Sequence, residues 1–552
     1  LTFILSVIAL YSICLRFLSP EYSFLTAALF NTQPLLFGHA FINPKDIPFM
    51  AFFLLTISSG LTMFDKDRIK AQHHKSGTRS ESFWDVITSD WAALNPPRRL
   101  LVLITGILPP IALSLFRLYS KRIQVSITAF INSIQNEHFL HILNQLSFYF
   151  FRGNIDSGVT LNNVKTIYPY LFVLSGLIFG GLVALIGALF LTNVIRFLLG
   201  FKSWKNFLEK LKKVVRNPNV YLAALILGVS IVNRSLSLAA GFFVIFYLWV
   251  NYRSYFLPVS FMYTSVAMVT VYLSWPSIWG NPILGFLKSF FTVSDFSWGG
   301  GTLFWGTLLK SSNLPKIYIP TLISLQFTLP TIILFLIGLI AVIFLYSYNK
   351  GQKTLIVILA AWFTLPLLST FIVKPATYDN FRHYLFLTPP IFVFAGFGIK
   401  YLLSLVPNYP ISILLIILIL LPGIHSLITL HPYQYIYYNE LVGGVSGAFR
   451  KFEMDYWGTS YRECTLFINQ EASENDSILV FGPAHIVKNY AREDLKVLHY
   501  REPDLHWMVK EADYAIISTR RNKDLSLLDD KPTIYSVTRA GATLAVVKEI
   551  TP

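Results

Sequence analysis

The sequence predicts an all-α polytopic membrane bundle of about 12 spanning helices, followed by a small extracytoplasmic α/β domain. Three observations predict it. The chain of 552 residues is 54% hydrophobic and only 13% charged, with mean hydropathy +0.55, whereas a soluble domain is about a quarter charged. Apolar runs long enough to span a bilayer, or nearly so, recur along the first 429 residues. From residue 430 the composition turns polar and reads as alternating strands and turns.

The runs fall at 1–18, 22–42, 47–64, 99–117, 167–196, 219–233, 236–250, 254–274, 328–347, 354–372, 384–404 and 411–429. The pair around Asn233-Arg234 reads either as two helices or as one long helix with a buried arginine. Sidedness comes from the connector Lys202 to Arg216, which carries five lysines, one arginine and one glutamate, a net +5. Basic loops stay on the cytoplasmic side. Alternation then puts 65–99 and 349–353 inside, and 43–46, 118–166, Arg234, 275–327, 373–383 and everything after 430 outside. Leu1, not Met, opens straight into an apolar run that enters from outside. The sequence therefore reads as a fragment whose preceding residues held another outer loop and another span.

The outer segments differ in kind. Residues 118–166 place apolar positions at helical spacing from Ile123 to Phe151 and read as helices lying on the membrane surface. Residues 275–327 are rich in Trp, Gly and Pro. In the tail, 477–481 and 513–518 read as buried strands, and 533–537 with 543–547 as a hairpin around Ala540-Gly541. This gives two expected domains, a membrane domain at 1–429 and an extracytoplasmic α/β domain at 430–552. The net charge of +16 is accounted for by cytoplasmic loops, so no nucleic-acid partner is expected. Cys14 lies in an apolar segment and Cys464 in the tail, which predicts neither a disulfide nor a cysteine metal site.

The residues least at home in lipid gather on the outer side. Asp46 lies between Pro44 and Pro48 at the mouth of a spanning helix. It reads either as a helix N-cap or as a carboxylate held there to act as a base, or to orient a sugar or a metal. Arg382 and His383 follow Tyr378 and Asp379. The planar fork of an arginine suits a phosphate, and a histidine can carry protons; an interfacial anchor cluster is the plainer reading. Arg234, between two apolar runs, either snorkels or meets an anion. Lys45 and Lys374 add positive charge on the same face, and Trp275-Pro-Ser-Ile-Trp279 opens the next outer loop.

Other signals exclude more than they suggest. Glu137, His138 and His141 have metal-like spacing without a further ligand, and His73-His74 sits in a cytoplasmic loop. Gly299-Gly300-Gly301 follows no strand and opens no helix, so it is not a nucleotide phosphate loop. Walker, dinucleotide and nucleophile-elbow motifs are absent from the sequence.

Four stretches carry a resemblance: Asn43-Pro-Lys-Asp-Ile-Pro-Phe49, Trp275-Pro-Ser-Ile-Trp279, Tyr378-Asp-Asn-Phe-Arg-His-Tyr-Leu-Phe386 and His431-Pro-Tyr-Gln-Tyr-Ile-Tyr-Tyr-Asn439. Gly443-Gly444 and Asp455-Tyr-Trp-Gly458 continue the last one. In these the chain resembles the GT-C superfamily of membrane glycosyltransferases, and within it the prokaryotic relatives of the dolichyl-phosphate-mannose–protein mannosyltransferases. The resemblance implies transfer of mannose or a similar hexose or pentose, with inversion, from a polyprenyl-phosphate donor of dolichyl or undecaprenyl type. The acceptor would be a hydroxyl on protein, lipid or glycan at the outer face. It implies that the principal base lies in an outer loop before Leu1 and that Asp46 is the second acidic residue. Arg382, with His383 beside it, would hold the donor phosphate, with Arg234 and Lys45 as weaker candidates. Asp379, Tyr378 and Trp279 would be substrate contacts. A divalent metal is used by some members and not others, and no convincing ligand set stands out here. The tail departs from the family's eukaryotic members in being short and α/β-like.

Two rival readings remain at this level: a polyprenyl-linked sugar flippase or transporter, and a non-catalytic lipid-binding relative. Transporters commonly show inverted repeats and broken helices at the midplane, whereas here no repeat is visible and the polar residues collect at one face. Low cysteine use and the compact tail point toward a prokaryotic plasma membrane.

Overall fold

The computed structural model describes residues 1–63, 204–282, 285–286, 288, 299–373, 375–406, 408–500 and 505–550. The expected spans at 99–117 and 167–196, the surface helices of 118–166, the histidines at 73, 74, 138 and 141, and Lys374 lie outside the described residues. The chain divides into two compact units, one of residues 1–78, 211–252 and 258–552, the other of residues 79–210 and 253–257. The first unit holds Asp46, Arg234, Arg382 and the polar tail.

The helices begin with α1 (Thr2–Cys14), α2 (Pro20–Asn31), α3 (Pro34–Ile42) and α4 (Asp46–Thr62). The basic helix α5 (Trp204–Val215) leads to α6 (Pro218–Asn233), α7 (Leu238–Asn251) and α8 (Phe256–Ser274). After the hairpin of β1 (Gly301–Phe304) and β2 (Thr307–Lys310) come α9 (Tyr318–Gln326), α10 (Leu329–Phe344), α11 (Lys350–Val373), α12 (Pro389–Ser404) and α13 (Tyr409–Thr429). Three described helices are long and apolar enough to cross a membrane: Phe256–Ser274, Lys350–Phe371 and Tyr409–Thr429. Counting each of three bent pairs as one span raises this to six. These helices, together with many large apolar side chains exposed along them, Ile343, Phe344 and Ile428 among them, make this a membrane protein.

Proline explains where expected runs break. The run at 22–42 is two helices, because Pro34 has no N–H to donate and holds Gln33 in an extended conformation (φ −73°, ψ 117°). The run at 384–404 starts as a 3-10 turn, Arg382–Leu387, and becomes α-helical only at Pro389. Between Asn233 and Ser235 the chain turns extended at Arg234 (φ −152°, ψ 127°), so the alternative of one continuous helix falls. The segment 275–327, expected as an outer loop, holds regular structure that its composition hid: the β1–β2 hairpin, and α9, which meets α10 at a bend of 113°. Gly301 belongs to β1, not to a phosphate loop.

Helices α10 and α12 pack backbone to backbone. A Cβ at Gly338 would overlap the carbonyl of Phe394, and one at Gly398 the carbonyl of Leu334. Small residues permit this approach where lipid supplies no hydrophobic drive for association. Around this pair, Phe30, Phe327, Phe392, Phe53 and Trp362 form a fully buried aromatic core, and Trp362 Nε1 donates to Phe386 O at 2.8 Å.

The tail forms a five-stranded mixed sheet in the order β4-β3-β5-β7-β6: β3 (Ser477–Phe481), β4 (Lys496–His499), β5 (Tyr514–Ser518), β6 (Thr533–Arg539) and β7 (Ala542–Glu549). Strands β3, β4 and β5 run parallel, and β7 joins antiparallel to both β5 and β6. Strand β3 is buried along its whole length, as a run of Ile, Leu, Val and Phe requires. The β6–β7 turn takes Ala540 and Gly541 at positive φ (46° and 79°), the geometry that matches strand twist in a two-residue hairpin. Strand β4, an edge with polar ends, carried no sequence signal. Helix α14 (Gly444–Ala448) leads into this domain; α15 (Tyr461–Glu471), α16 (Ala484–Tyr490) and α17 (Leu505–Lys510) follow within it. Cys14 and Cys464 are buried free thiols.

Candidate functional site

The site is built on the bend between α3 and α4. Asn43 ends α3, and its side-chain oxygen accepts hydrogen bonds from the backbone N–H groups of Lys45 (3.2 Å) and Asp46 (2.9 Å). Asn43 therefore closes the turn into α4, whose N-cap position is Lys45, and the expected alternative of Asp46 as N-cap is corrected: Asp46 is the first helical residue. With the Asn43 oxygen committed, its Nδ2 must be the donor, to Asp46 Oδ2 at 2.8 Å and toward His39 Nδ1 at 3.2 Å. His39 then accepts at Nδ1 and carries its proton on Nε2, 2.9 Å from the hydroxyl of Tyr456.

Asp46 is 1% exposed and two arginines close on it. Arg382 NH1 donates to Oδ2 at 3.1 Å, and Arg234 NH2 lies 2.6 Å from Oδ1. Buried carboxylates persist only when paired in this way. Arg234 reaches the site because the chain breaks at that residue instead of continuing the helix, and its guanidinium lies over the Phe49 ring at 5.2 Å.

The segment 378–383 supplies the other wall. Asp379 and Asn380 both adopt positive φ (55° and 58°), a region that Asp and Asn tolerate best among residues with a Cβ. The resulting turn lets Asp379 face back toward Arg382 NH2 at 3.3 Å. The Arg382 guanidinium lies over two rings, that of Tyr378 at 5.1 Å and that of Trp457 at 5.0 Å. His383 packs edge-on to Tyr378, its ring centroid 4.8 Å away. Its Nδ1 is 3.4 Å from Arg234 NH2 and 3.6 Å from Asp46 Oδ1. Burial pushes the His383 pKa below its ordinary value, a push that the Asp46 carboxylate opposes and Arg382 and Arg234 reinforce. Nδ1 thus faces both the Arg234 guanidinium and the Asp46 carboxylate, and Nε2 has no hydrogen-bond partner among the described residues.

The α/β domain reaches into this cluster. Arg520, two residues beyond β5, pairs with Asp379. Next to it the Arg521 backbone N–H donates to Glu453 Oε2 at 3.3 Å, and the Leu303 N–H to Glu453 Oε1 at 3.1 Å. Burial raises the pKa of Glu453 above its ordinary value, against the pull of Arg520. The cluster thus alternates in sign from Arg234 through Asp46, Arg382 and Asp379 to Arg520. Among its buried nitrogens, Arg382 Nε, His383 Nε2 and Trp457 Nε1 have no hydrogen-bond partner in the described residues. Buried polar atoms are almost always satisfied, so these are where a ligand's oxygens would be received.

Of the residues singled out by sequence, the structure brings together Asp46, Arg234, Arg382, His383, Asp379 and Tyr378. It does not bring in Trp279, which is half exposed and donates to Tyr272 O at 2.6 Å. Lys45 sits on the exposed side of the bend with only its backbone engaged. Sequence reasoning missed Trp457, Arg520, Glu453, His39 and Tyr456 as members. Trp457 and Tyr456 lay inside the motif Asp455-Tyr-Trp-Gly458; Arg520 had no signal beyond its charge. Among the described residues no group of three or more His, Cys, Asp or Glu could hold a metal ion.

Chemically the arrangement offers guanidinium groups fixed in orientation, a histidine, and a carboxylate hydrogen-bonded at Oδ2 and held at Oδ1 by ion pairing alone, all beside apolar helices. No family model matches the chain, and no curated protein matches it. Among solved structures it is similar to the crystal structure of ArnT from Cupriavidus metallidurans in the apo state, at 13% identity over 99% of this chain and 82% of that one, with a TM-score of 0.21. An overlap of that depth carries no argument about fold or activity, and the functional reading rests on the site.

Proposed function

We propose that the chain is a membrane glycosyltransferase that moves a hexose or pentose, such as mannose, from a polyprenyl-phosphate donor to an acceptor hydroxyl on the extracytoplasmic face, with inversion. The observation that carries this reading is the convergence of Arg234, Arg382 and His383 on one carboxylate at the mouth of apolar helices, with Arg382 Nε and His383 Nε2 unpartnered among the described residues. A polyprenyl-phosphate leaving group gains negative charge as the glycosidic bond breaks, and fixed cationic donors stabilise that charge most where water is excluded. Arg382, lying over the Tyr378 and Trp457 rings, is oriented before the donor arrives. The polyprenyl chain would lie between apolar helices.

In this reading Asp46 sets the spacing of the two arginines. An acceptor hydroxyl reaching it would have to compete with Asn43 and two arginines, which fits a positioning role for Asp46 better than that of the base. The membrane domain at 1–429 would carry the chemistry, and the α/β domain at 430–552 would close the site through Arg520. The acceptor class is protein, lipid or glycan, and the setting a prokaryotic plasma membrane.

The test is transfer of labelled sugar from a polyprenyl-phosphate donor by the purified protein in lipid, comparing wild type with Arg382→Ala. The proposal expects loss of turnover with the protein still folded. Movement of intact donor across sealed vesicles without transfer would establish the flippase. Donor binding with neither activity would establish the non-catalytic relative.

A further inference from the structure

A second cavity, of about 900 Å³, lies away from the Asp46 cluster. That volume is at the upper end of small-molecule clefts, roughly 300–1,000 Å³. Its walls differ in chemistry. Phe37 and Phe41 of α3, with Leu427 and Ile428 at the end of α13, form an apolar wall; Arg462 of α15 and Tyr490 of α16 stand on the side of the α/β domain. The thirteen lining residues include no Asp or Glu. Arg462 is exposed, its guanidinium lies over the Tyr490 ring at 5.5 Å, and it forms no ion pair among the described residues. Phe41 and Ile428 are about three-quarters exposed, at 75% and 73%.

Depth matches this division. Helix α13 has 21 residues, which spans about 31 Å at 1.5 Å per residue and so about one hydrocarbon core. Leu427 and Ile428 are in its last turn, at the level where acyl chains meet headgroups. Arg462 stands beyond that end, on a helix of the domain outside the apolar bundle.

We infer that this cavity is a binding site for a bilayer phospholipid with an anionic headgroup, its acyl chain against Phe37, Phe41, Leu427 and Ile428 and its phosphate at Arg462. An apolar wall at acyl depth and a lone arginine at headgroup depth complement an anionic lipid, and the absence of acidic lining removes any competitor for the arginine. The site stands independently of the transfer reaction.

The experiment is native mass spectrometry of the full chain, released from detergent after equilibration with phosphatidylglycerol or phosphatidylcholine of matched chains. One cation near an anionic surface contributes ~1 kcal/mol, about a fivefold preference for phosphatidylglycerol. Arg462→Gln should abolish that preference, whereas Lys488→Gln, an exposed cation of α16 outside the cavity lining, should leave it. Phe41→Ser should lower retention of both lipids. Both substituted cavity side chains are exposed, so the variants keep the fold. Equal retention of the two lipids by wild type would overturn the inference, as would a preference that survives Arg462→Gln or is lost in Lys488→Gln. Unchanged retention by Phe41→Ser would also overturn it. Retention of neither lipid would overturn it too, and would leave the groove to a polypeptide partner.

Discussion

Asp46 and Asp455 are buried to the same degree, each 1% exposed, yet their surroundings differ in kind. Asp455 is satisfied by neutral donors. Its oxygens accept from the Thr459 N–H (3.1 Å), the Ser460 N–H (2.8 Å), and the hydroxyls of Ser460, Thr459 and Tyr435. Those bonds close the turn before α15 and tie the start of the α/β domain to the segment after α13. Asp46 takes one neutral bond, from Asn43, and otherwise faces two arginines and a histidine that belong to distant elements. A carboxylate closed off by hydroxyls and backbone has no capacity left for a ligand. One held by arginines that are themselves 11% and 29% exposed shares partners a ligand can claim. Burial alone therefore does not mark a site; the charge and reach of the partners do.

The difference between the two carboxylates is tested hardest at Arg382. Arg382→Ala should reduce turnover by about 10²–10³-fold, the usual cost of one fixed donor to a developing anion, with little change in thermal stability of the α/β domain. A stable protein with wild-type turnover would place the chemistry elsewhere. Asp455→Ala should act the opposite way. It strands buried donors, at a cost of about 1–3 kcal/mol, read as a lower melting temperature, while any protein that folds keeps its rate per molecule.

Arg520→Ala probes the same difference at intermediate size. It frees Asp379 to draw Arg382 away from Asp46, so the KM for donor should rise about tenfold or more, by ~1.5–3 kcal/mol for one charged hydrogen bond lost, while kcat stays near wild type. An equal fall in kcat would put Arg520 on the reacting atoms. The smallest effect is in pH. The His383 pKa is held below its ordinary 6.5 by burial, so the unfolded chain binds the proton more readily than the folded one. His383 therefore contributes stability that is complete above pH 6.5 and is lost as pH falls through the folded-state value. His383→Gln should flatten that acid limb, and an unchanged limb would assign it to other groups. Lys45→Ala and Trp279→Ala should leave donor use unaltered.

The parts of this molecule that were legible in its sequence are those set by short-range chemistry. The polar run of Asn43 to Asp46 between apolar segments, the segment Tyr378 to His383, and strands β3 and β5 stand out because charge in lipid and β-branched runs outside it are both constrained locally. Alternation of loops placed Asp46, Arg234 and Arg382 on one side, but not in contact. The role of Asn43 in closing the turn into α4 was hidden because Asp and Asn are equal N-cap formers on statistics, and only the turn at Pro44 decides between them. The break at Gln33 was hidden by hydropathy, which counts apolar residues and is blind to backbone conformation, and the same blindness left the break at Arg234 as one of two readings. Arg520 was invisible because its meaning comes from Asp379, 141 residues earlier.

That separation bears on how the protein is made. Asp46 is synthesised early, and its partner Arg382 emerges 336 residues later; Arg520, which steadies Asp379, comes later still. Arg234 precedes Arg382 in the chain, so the first counter-ion of Asp46 does not depend on the polar tail, whereas Asp379 draws its second arginine from it. A chain without Arg520 would leave Asp379 without that partner, so one wall of the site depends on a residue of the polar tail.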